Sequence, residues 1–310
     1  MVNILADTSK RIEIIKQHIK ESNISCSSMV VTVFGDIVSQ HGHWVGLSSL
    51  IQVLEPFGFN ERQVRTSVYR LVQNDWLKVN KIGRRSYYCF TESATGHYEK
   101  AAKRIYLTAH EDWDQNWILV LPLSVPEDKK EELRKSLLWQ GFNTLTSGVY
   151  AHPSSNRFSL DEVLYELGIV SDVVVFNAKT SDLNSQGAIK EMIKSRWQLA
   201  ELAESYQQFL DFYRPIYQKV TKENPTVLES FIYRAALIHD FRRILLRDPD
   251  FPTEMLPHGW VGNEAQELVK RTYKALTVSS LQFIEENLEN AQGNLPEATS
   301  KFFNRFGGLI

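Results

Sequence analysis

The sequence predicts an α+β protein built in three parts, on three observations. Two apolar helical segments, a capped third helix and a β-prone hairpin follow one another over residues 27–90. Short apolar strands then alternate with helices up to about residue 180. From about residue 188 onward the apolar residues keep helical spacing. The corresponding boundaries are 21–110, 111–180 and 181–310.

A chain of 310 residues is too long for one small core and fits two or three domains. Its 43% hydrophobic and 23% charged content is ordinary for packed globular domains and excludes a disordered chain. The formal net charge of −2 gives no sign of a nucleic-acid-binding coat, but charge is unevenly placed. Between Asn60 and Phe90 the basic Arg62, Arg65, Arg70, Lys78, Lys81, Arg84 and Arg85 face only Glu61 and Asp75. A nucleic-acid-binding module joined to acidic, non-binding domains has that asymmetry. Cys26 and Cys89 are the only cysteines and form no CxxC, which excludes a disulfide framework and fits a cytoplasmic location. Met1 to Lys20 carries no long apolar run, so neither a signal peptide nor a membrane span is expected there.

Residues 27–40 read as a helix capped by Ser27 or Ser28, with Gly42 as the stop. Residues 47–54 form a short second helix, and Pro56 and Gly58 break the chain. Asn60 with Gln63 makes a variant capping box for a third helix. Val64, Val68, Leu71 and Val72 line one apolar stripe, which puts Arg62, Thr66, Tyr69, Arg70 and Gln73 on the opposite face. Two β-prone runs, 76–80 and 86–90, then flank the turn Lys81-Ile82-Gly83-Arg84-Arg85. That order is a winged helix-turn-helix. Its third helix offers side chains to base edges in the major groove, and Lys81, Arg84 and Arg85 on the wing meet phosphates or the minor groove. A charged helix face alone is most often merely solvated; the basic hairpin beside it favours DNA.

The middle part opens with the strand Ile118–Leu121. Ser124 and Glu127 resemble a capping box for a helix ending at Gly141. Strands near 148–152 and 173–176 bracket a helix at 160–167, which points to a ferredoxin-like unit. In the last part, helices are expected up to Pro215, from Val227 to Arg247, and from Glu264.

No GxSxG, HExxH or P-loop is present, so an enzyme is not expected. His41-Gly42-His43 lacks the further ligands of a zinc site and reads as a polar turn. No metal or cofactor is therefore expected. Asp114, near the first middle strand, reads as an Asx-type turn between Trp113 and Trp117.

The run Val64-Arg65-Thr66-Ser67-Val68-Tyr69-Arg70-Leu71, then Trp76-Leu77 and Ile82-Gly83-Arg84-Arg85-Ser86-Tyr87-Tyr88, resembles the phenylacetic-acid-degradation repressor family, PaaX. So do Leu137-Leu138-Trp139-Gln140-Gly141-Phe142, Arg242-Arg243-Ile244-Leu245-Leu246-Arg247-Asp248-Pro249, Glu254-Met255-Leu256-Pro257, Trp260-Val261-Gly262 and the ending Phe302–Leu309. The resemblance spans nearly the whole chain. It implies a repressor of phenylacetate catabolism genes that binds a partly palindromic double-stranded operator and is released by phenylacetyl-CoA. It also implies a Cas2-like middle domain. By position, Arg65, Thr66, Tyr69 and Arg70 lie on or beside the recognition helix. A palindrome calls for a homodimer.

An anionic, adenine-bearing ligand wants arginines and an aromatic wall, which His239, Arg242, Arg243, His258 and Trp260 supply; cations at a helix C-terminus also offset its dipole without any ligand. Two other readings stand beside this one: the same build answering to another aromatic acyl-CoA, and a Cas2-like metal-dependent nuclease using Asp114. The sequence departs from the family in having Asp75, with Asn74 before it, where a glycine usually precedes the tryptophan. That leaves open whether the helix ends a residue early or Asp75 is strained.

Overall fold

A computed structural model of the chain describes residues 2–106, 113–153, 158–180 and 183–309. It is a mixed helix-and-sheet protein. Its residues group into two compact units: one holds Met1–Thr108, Phe209–Arg242 and Gln266–Ile310, the other Ala109–Gln208 and Arg243–Ala265.

In the first unit, α1 (Val2–Glu21) leads to α2 (Cys26–Asp36). The N-cap of α2 is Ser25, whose hydroxyl accepts from Ser28 N–H, and not Ser27 or Ser28. The helix closes at Asp36, and a 3-10 turn at Val38–Gln40 covers the rest of the expected span. The two-residue strand β1 (Val45–Gly46) precedes α3 (Leu47–Leu54). The third helix α4 (Glu61–Gln73) packs on both α2 and α3. Then β2 (Leu77–Ile82) and β3 (Arg85–Phe90) form an antiparallel hairpin, with β1 on the far side of β3, followed by α5 (Glu92–Tyr106). Ile82 pairs with Arg85, so the loop is only Gly83-Arg84, tighter than the five-residue turn expected. Gly83 takes φ +59° at the first loop position, where a two-residue hairpin needs a left-handed residue.

The second unit has the order β4 (Trp117–Pro122), α6 (Glu127–Trp139), β5 (Asn143–Thr146), β6 (Val149–His152), α7 (Phe158–Glu166) and β7 (Val173–Ala178). The sheet order β5-β6-β4-β7, antiparallel throughout, is that of a ferredoxin-like βαββαβ unit. Ile118, Val120, Leu133, Leu137, Leu160 and Leu164 form its core. The polar edge strand β5 carries no apolar alternation, so no sequence pattern marks it. Ser124 does not cap α6: its hydroxyl donates to Asp172 Oδ1 at 3.2 Å, and Pro126 occupies the N-cap.

The remaining α-helices are α8 (Leu183–Arg196), α9 (Leu199–Lys222), α10 (Val227–Leu245), α11 (Val261–Asn287) and the one-turn α12 (Ser300–Phe303). Helix α9 continues through Pro215 rather than stopping there. Each of α9, α10 and α11 contributes residues to both units.

In the first unit the core contains charge. Asp36, at the end of α2, is fully buried. Its carboxylate receives Arg234 Nε at 3.0 Å, Arg305 Nη1 at 2.8 Å, and the hydroxyls of Tyr106 and Tyr273 at 2.6 and 2.8 Å. Burial of two guanidiniums against one carboxylate leaves an excess positive charge. Arg305 lies over the Tyr106 ring at 3.9 Å and Arg234 over the Tyr273 ring at 4.7 Å, contacts that favour a desolvated cation.

Candidate nucleic-acid interface

The local sequence of α4 sets which way its faces point. Asn60 Oδ1 accepts from Gln63 N–H and Gln63 Oε1 from Asn60 N–H, each at 2.9 Å, so the capping box is reciprocal. Val64, Ser67, Val68 and Leu71 are buried. Arg62, Arg65, Thr66, Tyr69, Arg70 and Gln73 are all accessible: Val64 and Leu71 sit between them on the inner face, and Tyr69 is 65% exposed. Arg65 Nε donates to Glu61 Oε1 at 2.8 Å one turn back. Such an exposed pair contributes only about 0.3–0.5 kcal/mol and gives way readily to a competing anion.

Helix α4 ends in a left-handed residue. Asn74 keeps φ −93°, while Asp75 takes φ +57°. Trp76 N–H donates to Leu71 O at 2.8 Å and Asp75 N–H to Val72 O at 3.2 Å, which is a Schellman closure. Thr91 Oγ1 donates to Asp75 O at 2.7 Å and Thr91 N–H to Trp76 O at 3.1 Å. These bonds fix the angle between α4 and the hairpin. Asp75 therefore occupies the left-handed position, and the helix does not end a residue early.

Lys81, Arg84 and Arg85 are exposed at the hairpin tip, and Ile82 between them is half exposed at 50%. Arg85 Nη1 comes within 3.9 Å of Glu289 Oε2, an acidic neighbour that no local pattern in the sequence announces. Lys78, further down β2, lies 6.0 Å from the centre of the Trp44 ring.

The residues expected to hold a small ligand do not all lie on open surface. His239 is fully buried with Nδ1 2.9 Å from Thr32 Oγ1 on α2. Arg242 Nη2 donates to the carbonyl and the hydroxyl of Ser28, both at 3.2 Å. Both side chains tie α10 to α2. Arg243 and His258 are exposed, and Trp260 is buried edge-to-face on Tyr206 at 6.2 Å.

His41 Nδ1–H donates to the Pro296 carbonyl at 2.8 Å. Asp114 Oδ1 accepts from Asn116 N–H at 2.9 Å, an Asx-type turn, with Trp113 edge-to-face on Trp117. Among the described residues no group of three or more His, Cys, Asp or Glu side chains is placed to share a metal ion, and no helix is long and apolar enough to cross a membrane.

The geometry defines a mixed α/β protein that presents a basic helix face and a basic hairpin tip, and that carries a ferredoxin-like unit. Three family models match it: PaaX-like protein over residues 25–94, PaaX protein central Cas2-like domain over 110–189, and PaaX-like protein C-terminal domain over 197–286. The transcriptional repressor PaaX of Escherichia coli (strain K12) is 33% identical over 288 residues, 92% of this chain and 91% of that protein. The chain belongs to the PaaX-like family. Among solved structures, the uncharacterized protein Rv0674 from Mycobacterium tuberculosis is similar with a TM-score of 0.51 at 20% identity, covering 82% of this chain and 97% of that one, a likeness of fold alone.

Proposed function

We propose that the chain is a transcriptional repressor of phenylacetate catabolism genes, a homodimer that reads a palindromic operator through an N-terminal winged helix-turn-helix and leaves it when phenylacetyl-CoA binds. The observation that carries the DNA reading is the division of α4: its apolar stripe is buried on α2 and α3 while Arg62, Arg65, Thr66, Tyr69, Arg70 and Gln73 stay accessible. The chain then continues into a two-residue hairpin loop near Lys81 and Arg85. In this reading α4 enters the major groove, and Lys81, Arg84 and Arg85 neutralise phosphates. The family relation to a transcriptional repressor supports it. The cytoplasm, where the operator lies, is its place of action.

Release requires that the ligand bind one conformation better than another. Helix α10 is the element through which α2 would feel such a change, since Arg234, His239 and Arg242 all bond to α2 residues. Arg243, His258 and Trp260 remain candidate ligand contacts on the chain beyond them.

The test is an anisotropy titration on promoter DNA from a phenylacetate gene cluster, with phenylacetyl-CoA, another aromatic acyl-CoA, or free phenylacetate added. Salt-sensitive binding abolished by phenylacetyl-CoA alone supports the whole reading. Release by the other ester moves the effector while keeping the DNA module. Absence of specific binding to any such promoter removes the proposal.

A further inference from the structure

Two sequence motifs that DNA reading leaves unused meet inside the second unit. Gly141, from Leu137-Leu138-Trp139-Gln140-Gly141-Phe142, takes φ +88°, and a Cβ there would lie 2.8 Å from Pro249 O and 2.9 Å from His152 Nε2. His152 Nε2–H donates to that Pro249 carbonyl at 2.7 Å, and Trp197 Nε1–H donates to Gly141 O at 2.8 Å. Asn143 Nδ2 donates to Arg196 O at 2.7 Å. Glycine alone permits this approach, and the joined segments enclose a pocket of about 170 Å³. Its lining includes Trp139, Trp197, Arg196 and Arg247.

We propose that this pocket takes the phosphorylated adenosine end of an acyl coenzyme A, an inference that rests on the acyl-CoA-released repressor proposed above. Beside the apolar Leu138, Phe142, Leu246 and Pro249, the lining carries two arginines and two tryptophans, groups that suit phosphate and purine. Both guanidiniums are exposed; Arg247 meets the neutral Ser205 hydroxyl at 3.3 Å, and among the described residues no carboxylate pairs with either. The one acid in the lining, Asp248, already accepts Tyr206 OH at 2.6 Å and Asp250 N–H at 2.8 Å. Paired arginines suit phosphate through bidentate hydrogen bonds. Trp139, 48% exposed, and Trp197 offer indole surface to a purine. A whole drug-sized ligand fills roughly 300–1,000 Å³. The smaller volume here admits one end, and the acyl arm leaves through the open mouth. Arg247 lies four residues beyond Arg243 on the same stretch of chain, and the second cation, Arg196, comes from the end of α8.

Calorimetry on the full chain tests it, with phenylacetyl-CoA, free coenzyme A, adenosine 3′,5′-bisphosphate and free phenylacetate as titrants. Wild type binds the first three. Arg196→Gln with Arg247→Gln weakens all three by about tenfold or more, as loss of charged hydrogen bonds does. Trp139→Leu, made separately, weakens them without removing charge, and both variants keep operator affinity in the absence of ligand, which shows that they fold. Unchanged affinity in both variants, or no binding of the two acyl-free nucleotides, overturns the pocket assignment. Nucleotide binding that the variants lose, in a protein whose operator complex ignores phenylacetyl-CoA, keeps the pocket and discards the effector reading. Equal release of wild type and variants by phenylacetyl-CoA does the opposite.

Discussion

Arg234 Nε donates to Asp36 Oδ2 at 3.0 Å, joining helix α10 to the end of α2. Arg305, from the last residues of the chain, reaches the other carboxylate oxygen. One buried acid thus holds three distant segments of the first unit together. Removing it leaves two buried guanidiniums without a countercharge. Asp36→Asn is expected to lower the unfolding free energy by about 3–5 kcal/mol, read as a reduced urea midpoint. Arg305→Met leaves one carboxylate facing one guanidinium and is expected to cost less than Asp36→Asn. Burial opposes ionisation of Asp36, but the guanidiniums of Arg234 and Arg305 and the tyrosine hydroxyls hold its carboxyl below the ordinary 3.8. The stabilisation is therefore complete above the unfolded value and is lost only as pH falls through the lower folded one.

His41 titrates in a different window. Burial pushes its ring down from 6.5 to about 4, against the opposing effect of the bond to Pro296 O. Between those values the unfolded chain takes up a proton that the folded chain does not. Stability is expected to fall as pH drops from about 6.5 to about 4, by up to about 3 kcal/mol, and to level off below. His41→Gln should flatten that part of the profile in chemical denaturation at stepped pH, and a variant with the wild-type slope would assign the slope to other histidines.

Asp75 carries a left-handed backbone that glycine adopts without strain. Asp75→Gly is expected to raise stability by about 0.5–1 kcal/mol, seen as a higher melting temperature, with the Schellman bonds to Leu71 and Val72 retained. A lower melting temperature would mean that the Asp75 side chain contributes more than the strain removes.

On DNA the helix and the hairpin should separate by salt. Arg84→Ala is expected to weaken operator and unrelated duplex alike, lowering the slope of log affinity against log salt by about 0.9 for each phosphate it no longer neutralises. Arg70→Ala should cost about 1–3 kcal/mol on the operator while sparing unrelated duplex. Equal effects of Arg70→Ala on both sequences would confine α4 to the sugar–phosphate backbone.

The local devices were readable because each is written within a few residues. Asn60 and Gln63 lie three apart and close their box through side chains of fixed reach. The buried Val64, Val68 and Leu71 repeat at the helical period, and Gly83 marks a turn only glycine takes easily. Such rules locate the basic face of α4 and the basic loop from the sequence alone, and alternation showed most of the ferredoxin-like unit.

Short range is also where those rules fail when two caps compete. Ser25 rather than Ser27 caps α2, and Ser124 turns to Asp172 instead of α6. Longer range is silent in the sequence. His239 and Arg242 had the right chemistry for an anionic ligand, yet packing set them against Thr32 and Ser28. Nothing local says that Asp36 will face Arg234 and Arg305, or that Gly141 will meet Pro249. Residue spacing determines helices, caps and turns, because those depend on neighbours along the chain. Which charges are buried together, and which motifs close a pocket, depends on which surfaces exclude water jointly, and only the tertiary structure decided that.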